Sequence, residues 1–424
     1  MDQYIRRTVD DVLDALLPEL PAIALEGPKG VGKTATASRR AATVHRLDDP
    51  AVRAVIEADP GRLVAGPGPV LVDEWQRFPS AWDVVRRAVD DPPGGGPYLL
   101  TGSAAPLEQP THSGAGRIVT IRMRPLDLSE RRLVPPTVSL AELLTGTRPA
   151  VEGVSPLRLA DYAEEIVASG LPGLRGVSGR ARRAQLDGYL GRIIERDFAE
   201  QDRPVRDRAG LRRWLAAYAA ATATTTSFES IRDAAVGGNS PAPARSTTTA
   251  YRHVLEQLWI LDPVEAWLPS RNHLARLAAP AKHYLADPAL AARLLGADVG
   301  ALLDAVPVGP PVPRNGPLLG HLFEALVVLG VRVQAQAAEA VVRHLRTKGG
   351  EREIDIIVER ADHRVVAIEA KLGAVVDDKD VRHLRWLQEA LGSDLLDAVV
   401  VTTGTEAYRR ADGIAVVPAA LLGP

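Results

Sequence analysis

The sequence predicts an α/β protein in three parts: a parallel-sheet domain over 1–135, a mostly helical region over 136–308, and a smaller α/β domain over 309–424. Three observations predict it. First, short apolar runs over 21–25, 70–72 and 98–100 end in Gly27, in Asp73-Glu74 and in Thr101-Gly102-Ser103. They alternate with helical spacing, as at 9–17, which is the pattern of a buried parallel sheet. Second, the spacing from about 156 to 300 is predominantly helical. Third, a Pro- and Gly-rich linker over 309–317 precedes a compact α-β-β-β-α-β pattern. In that pattern 318–329 and 380–391 are helices, and 340–346, 353–358, 365–371 and 398–402 are strands. Pro-Gly clusters at 66–69 and 92–97 mark turns before strands. The Pro- and Gly-containing stretch 135–155 reads as a hinge, and 239–243 as a loop.

The totals exclude several classes. The chain has 424 residues, suggesting two to four domains, and 46% of them are hydrophobic. Aromatics make up only 4%, so Ala, Leu and Val must do most of the packing. A formal net charge of −2 offers no global field for nucleic acid, so any such contact needs a local patch. With no cysteine there is no disulfide and no thiolate metal site. The N-terminus lacks a signal-peptide pattern, and no uncharged apolar stretch of about 18 residues appears. The expectation is therefore a cytoplasmic protein with no membrane span.

Gly27-Pro28-Lys29-Gly30-Val31-Gly32-Lys33-Thr34 fits G-x-x-x-x-G-K-[ST] in full, between an apolar strand and a predicted helix. The glycines let backbone N–H groups close around phosphate oxygens, and the helix N-terminus adds its positive dipole end. Lys33 is expected at the β- and γ-phosphates of ATP, and Thr34 on Mg2+. A carboxylate at the tip of a buried strand is expensive without a task. Asp73 is assigned to the metal shell and Glu74 to the attacking water. Thr101 or Ser103 is expected to bond that water or the γ-phosphate. Arg117, Arg122 and Arg124 are candidates for the positive charge at the γ-phosphate. Arg117 ranks first because it follows the flexible Gly114-Ala115-Gly116.

A second constellation is Asp355 followed by Glu369-Ala370-Lys371. Glu369 and Lys371, two apart on a strand, share a face. A short loop over 360–363 makes the strands an antiparallel hairpin. Asp355 and Glu369 are expected to converge on one Mg2+ or Mn2+, with the Ala370 carbonyl as a further ligand. Lys371 would orient a metal-bound water toward a phosphodiester, and Glu324 would complete the acidic cluster. An exposed strand face of alternating charge is the bland alternative.

Taken together, the two ends resemble bacterial and archaeal AAA-type P-loop ATPases whose C-terminal half is a domain of unknown function with a PD-(D/E)xK nuclease-like core. At the front the resemblance rests on the 27–34 motif, Leu71-Val72-Asp73-Glu74-Trp75-Gln76, Leu100-Thr101-Gly102-Ser103-Ala104 and Arg124-Pro125-Leu126-Asp127-Leu128-Ser129-Glu130. In the middle it rests on Ser169-Gly170-Leu171-Pro172, Tyr189-Leu190, Ile194-Glu195-Arg196-Asp197 and Lys282-His283-Tyr284-Leu285-Ala286-Asp287. At the end it rests on Gly320, Phe323-Glu324, Leu345-Arg346-Thr347, Glu353-Ile354-Asp355 and Ile368-Glu369-Ala370-Lys371. The resemblance implies a preference for ATP and a nuclease-like C-terminal domain, with DNA as a possible partner. A second sensor arginine has no evident place, which leaves the geometry of any homo-oligomeric ring open.

The middle region reads as winged-helix-like: helices over 228–235 and 246–258, then a short strand pair over 259–267. Ser246-Thr247-Thr248-Thr249, Arg252 and His253 would begin a recognition helix, although packing and capping explain the same residues. Between Arg175 and Arg213 there are eleven Arg against six acidic residues. Only Tyr189 and Phe198 are interleaved, so phosphate contact or a solvated surface is expected there rather than base stacking. Two functions follow: an ATP-dependent enzyme cutting DNA, or a regulatory NTPase switch whose C-terminal domain is a silent DNA- or protein-binding module.

Overall fold

The structure, a computed structural model, describes residues 4–90, 96–103, 114–198, 207–236, 242–268, 279–303, 316–347 and 349–424. Most of the linker expected over 309–317, most of the loop over 239–243, Ala104 and Lys348 lie outside them. The front of the chain runs α1 (Thr8–Leu16), β1 (Ala22–Glu26), α2 (Lys33–Ser38), β2 (Thr43–Arg46), α3 (Pro50–Ala58), β3 (Val70–Asp73), α4 (Ser80–Asp90), β4 (Tyr98–Gly102) and β5 (Val119–Arg122). Its strands form one parallel sheet in the order β2-β3-β4-β1-β5. Both faces are buried, and the alternation along each strand is what divides them. Ile23, Leu25, Leu71 and Leu99 join one core, while Ala22, Ala24, Val70, Val72 and Leu100 join the other. The three apolar runs read from the sequence are the central strands. The two outer strands have no such run, because β2 alternates half-buried with exposed residues and β5 is mostly exposed.

The chain continues with β6 (Val138–Ser139), α5 (Leu140–Leu143) and β7 (Gly153–Val154). This stretch was expected to be a hinge, and the structure corrects that. β6 pairs with β14 (Leu422–Gly423) at the far end of the chain, and β7 with β12 (Glu406–Arg409). The segment is thereby built into the C-terminal part. Strands this short carry no periodic signal; only their distant partners define them.

The middle holds α6 (Leu159–Ala168), α7 (Gly179–Arg192), a π-helical turn over Ile193–Asp197, α8 (Arg208–Ala220), α9 (Phe228–Ala234), α10 (Arg245–Gln257), α11 (Pro288–Leu294) and α12 (Val299–Leu303). After α10 the expected strand pair is reduced to isolated bridges. Leu261 and Val264 pair antiparallel with Leu285 and Lys282, and Ala266 pairs parallel with His344.

The last part is α13 (Gly316–Ala337), β8 (Val341–Arg346), β9 (Glu353–Glu359), β10 (Val365–Lys371), α14 (Arg382–Leu391), β11 (Leu395–Thr402), β12, β13 (Ala415–Pro418) and β14. Its helix and strand order through β11 is the α-β-β-β-α-β order read from the sequence. The sheet extends further, in the order β7-β12-β13-β11-β10-β9-β8. β8, β9 and β10 are antiparallel neighbours, and β10 and β11 are parallel. α13 is long and apolar enough to cross a membrane, yet most of it is buried inside the protein, against α1, α6, β8 and β10. One core runs without a break from β1 through Trp214, Tyr218 and Leu255 to Ile356, Ile368 and Val401, so the three parts are packed together.

Candidate functional site

The 27–34 segment joins the tip of β1 to the start of α2. Three of its glycines have positive φ: Gly27 (+151°), Gly30 (+82°) and Gly32 (+103°). At Gly27 even a methyl group is excluded, because a Cβ would lie 2.1 Å from the Met123 carbonyl oxygen. Arg7, which had no role in the sequence reading, is buried behind the loop. It donates to the carbonyls of Val31 (3.0 Å) and Arg124 (2.8 Å) and pairs with Glu130 at 2.9 Å. The nearly buried Lys33 ammonium donates to the carbonyls of Gly27 (2.8 Å) and Pro28 (2.9 Å). Burial lowers its pKa to about 8, against the opposing pull of Glu74 and Asp73.

The strand tips beside this loop bring the remaining residues together. Thr34 Oγ1 donates to Asp73 Oδ1 at 2.7 Å, and Thr101 Oγ1 donates to the same oxygen. Ser103 Oγ donates to Glu74 Oε1 at 3.1 Å, and Gln76 Nε2 donates to Oε2. Glu74 itself is left-handed (φ 54°, ψ 44°) and starts the tight turn Trp75–Arg77. A non-glycine residue held this way is strained, and such strain is concentrated at functional sites. Gly102 leaves the room that Trp75 needs, since a Cβ there would lie 2.8 Å from the indole nitrogen.

The arginines are distributed differently from expectation. β5 runs parallel to β1 with Arg122 beside Glu26, so Arg117, just before β5, lies at the opposite edge of the sheet from the loop. It pairs with Asp90 at 2.5 Å, and its assignment to the γ-phosphate is corrected on that ground. Arg122 and Arg124 are on the loop side, but both pair with Asp262 at 2.9 Å, as does Arg332 at 2.8 Å. Burial alone would raise the Asp262 pKa; the three guanidinium groups instead hold it below the usual carboxylate range. Lys29 pairs with Asp197 of the π-helical turn at 2.5 Å, and Tyr189 donates to the Lys29 carbonyl at 3.1 Å. The helical region is therefore hydrogen-bonded directly to the phosphate loop.

Of the arginines over 175–213, Arg175 pairs with Glu165 and Arg182 with Glu164. Ser246, Thr247, Thr249 and His253 are exposed on α10, whereas Arg252 stacks on Phe228, 4.6 Å from its ring centre.

The C-terminal carboxylates do converge, but around a cation that the sequence reading did not assign. Lys282 Nζ lies 3.0 Å from Glu324 Oε1, 3.0 Å from Asp355 Oδ1 and 3.1 Å from Glu353 Oε1. Asp355 Oδ2 accepts the Ala370 N–H at 3.1 Å, so at Ala370 it is the amide, not the carbonyl, that meets Asp355. Lys371 donates to Glu369 at 2.7 Å, and Tyr284 donates to Glu324 at 2.5 Å. Burial favours the neutral form of Glu324, Asp355 and Glu369. Burial and the Asp355 charge push Glu369 well up and Glu324 up to about 7. Asp355 is driven the other way, because Lys282, Lys371 and the Ala370 amide outweigh its burial. Among the described residues, no group of three His, Asp or Glu side chains is arranged to hold a metal ion. Of the residues expected to hold a metal, Glu324 and Asp355 share the Lys282 ammonium with Glu353, while Glu369 is paired with Lys371. Lys282 stood in the sequence only as part of the 282–287 resemblance motif. Nothing local marks a lysine as destined for burial.

A phosphate loop at the tip of β1 in a parallel sheet, with Asp73-Glu74 at the tip of β3 and β4 inserted between the two, defines a P-loop nucleotide-binding domain. Residues 19–131 match the family model of an AAA domain, which supports a P-loop ATPase-like domain over this part of the chain. Residues 159–300 and 319–422 match the models of two domains of unknown function, DUF8612 and DUF4143. Two curated relatives, uncharacterized proteins of Mycobacterium tuberculosis and Mycobacterium bovis, are each 26% identical over 363 residues, covering 84% of this chain and 71% of the relative. Among solved structures, a Walker-type ATPase of Pyrococcus abyssi matches with a TM-score of 0.39 and 17% identity, covering 69% of this chain and 96% of that one.

Proposed function

We propose that the chain is a Mg2+-dependent ATPase that works as a switch, with the nucleotide cycle read by the helical region and passed to the C-terminal domain. The observation that carries this reading is the pairing at the strand tips: Thr34 and Thr101 on Asp73, Ser103 and Gln76 on Glu74. The same set serves ATP hydrolysis. Lys33 exchanges the carbonyls of Gly27 and Pro28 for β- and γ-phosphate oxygens. Thr34 and Asp73 fit Mg2+, because a hydroxyl and a carboxylate already in contact are oxygen donors of the type it takes. When bound, magnesium held by Thr34 and Asp73 would supply positive charge against the charge developing on the phosphates. Glu74, oriented by Ser103 and Gln76, polarises the attacking water.

The switch reading is supported by the Lys29–Asp197 pair and the Tyr189 bond. Phosphate arriving at the loop competes with Asp197 for Lys29, and Asp197 belongs to the helical region. A nucleic-acid partner would be met by the exposed Ser246, Thr247, Thr249 and His253 of α10.

The test is phosphate release by the wild type and by Glu74→Gln. The expected result is a turnover number lowered about 100-fold or more with ATP affinity retained. An unchanged turnover number would remove Glu74, and with it this mechanism.

A further inference from the structure

We infer that Lys282 is the resident cation of the C-terminal carboxylate cluster, standing where a nuclease-like core would hold a divalent metal, so that this domain neither binds Mg2+ or Mn2+ there nor cuts DNA. The ammonium has three N–H donors, and three carboxylate oxygens from three different residues lie at 3.0, 3.0 and 3.1 Å. These are ordinary hydrogen-bond lengths, about an ångström longer than Mg–O bonds. The match of donors to acceptors is complete. Each carboxylate is also engaged elsewhere: Asp355 with the Ala370 amide, Glu324 with Tyr284, and Glu353 with Arg346 at 3.1 Å. Glu369, the other expected ligand, is paired with Lys371.

Lys282 cannot readily swing aside. It is 1% exposed, and its backbone is fixed by reciprocal bonds with Val264, each 2.9 Å. The 261–267 segment is in turn attached to the edge strand β8, where Trp267 donates to the His344 carbonyl and His344 to that of Glu265. Asp287, five residues on, accepts from Ser169 Oγ (2.6 Å) and the Gly170 amide (2.8 Å), while Gly170 itself pairs with Leu126 of the ATPase domain. A divalent ion on these oxygens would face the ammonium at close range, in a buried site where such repulsion is poorly screened. The cluster therefore acts as a latch: the segment over 282–287 holds the C-terminal core at one end and the ATPase domain at the other. This goes beyond the ATPase reading, which stands or falls on residues of the first domain.

The experiment is Mn2+ titration of the nucleotide-free full-length protein, followed by electron paramagnetic resonance, for wild type, Asp355→Asn, Lys282→Met and the Lys282→Met/Asp355→Asn double variant. Cleavage of plasmid DNA in Mn2+ and ATP hydrolysis are measured on the same preparations. The wild type and Asp355→Asn are expected to bind equal numbers of Mn2+ ions and to leave plasmid uncut. Lys282→Met is expected to gain one Mn2+ per chain that the double variant lacks. A wild-type Mn2+ site, or plasmid cutting, that Asp355→Asn abolishes overturns the inference. So does a folded Lys282→Met protein without the additional site. Should Lys282→Met fail to fold, the wild-type comparison with Asp355→Asn decides alone. Loss or retention of ATP hydrolysis reports separately on the P-loop.

Discussion

Nucleotide binding by this protein is expected to take up a proton at alkaline pH, and the carrier is Lys33. Burial brings its pKa from 10.5 down to about 8, with Glu74, Asp73 and Glu26 opposing and Lys29 assisting. Because the folded value lies below the unfolded one, the charged ammonium destabilises the nucleotide-free fold. That penalty is complete below pH 8 and disappears above the unfolded pKa. A depression from 10.5 to about 8 corresponds to about 3 kcal/mol. Phosphate oxygens beside Lys33 restore the preference for the charged form, so binding protonates whatever fraction was neutral. The uptake is roughly one-tenth of a proton per nucleotide at pH 7, roughly half at pH 8 and roughly nine-tenths at pH 9. Calorimetry with the slowly hydrolysed γ-thio analogue of ATP, in paired buffers of different ionisation enthalpy, measures this number directly. An uptake near zero at pH 8.5, or one that does not change between pH 7 and 9, would refute the reasoning. Either result would mean that Lys33 is already charged and solvated before nucleotide arrives.

Two further outcomes follow from the same geometry. Gly27→Ala drives a methyl group into the Met123 carbonyl, 2.1 Å away, whereas Gly30→Ala meets nothing within 4 Å. The first is expected to lower stability by about 3 kcal/mol and the second by about 1 kcal/mol, the strain of positive φ alone, read from urea midpoints; equal losses would show that the loop relaxes freely. Asp262→Asn leaves Arg122, Arg124 and Arg332 together without their shared counter-charge and is expected to cost about 3–5 kcal/mol in the same assay. A loss under about 1 kcal/mol would mean that the arginines reach solvent once released.

The phosphate site was legible because its chemistry is local. Backbone geometry confines Gly27, Gly30 and Gly32 to one short loop, and an apolar run before it and a helix after it are enough to define the turn. Asp73, Glu74, Thr101 and Ser103 were legible for a related reason: in a parallel sheet, strands ending in polar residues place those residues at one edge. β2 and β5 were not, since outer strands with one wet face need no apolar run. Arg117 was ranked by the flexible Gly114-Ala115-Gly116 before it, and flexibility says nothing about which edge of the sheet a residue occupies; that is decided by the direction of β5.

By itself, the sequence determined the class of the first domain, the helix and strand order of the last through β11, and the strand-tip carboxylates and hydroxyls beside the phosphate loop. Only the tertiary structure decided what stands between the C-terminal carboxylates. Lys282 reaches Glu324, Glu353 and Asp355 from a segment whose position depends on the Val264 bridge, the edge of β8 and the cap at Asp287. A motif records which side chains a strand presents. Whether they meet a metal ion or a lysine depends on chain that lies dozens of residues away, and on the burial that makes an unpaired charge there too expensive to keep.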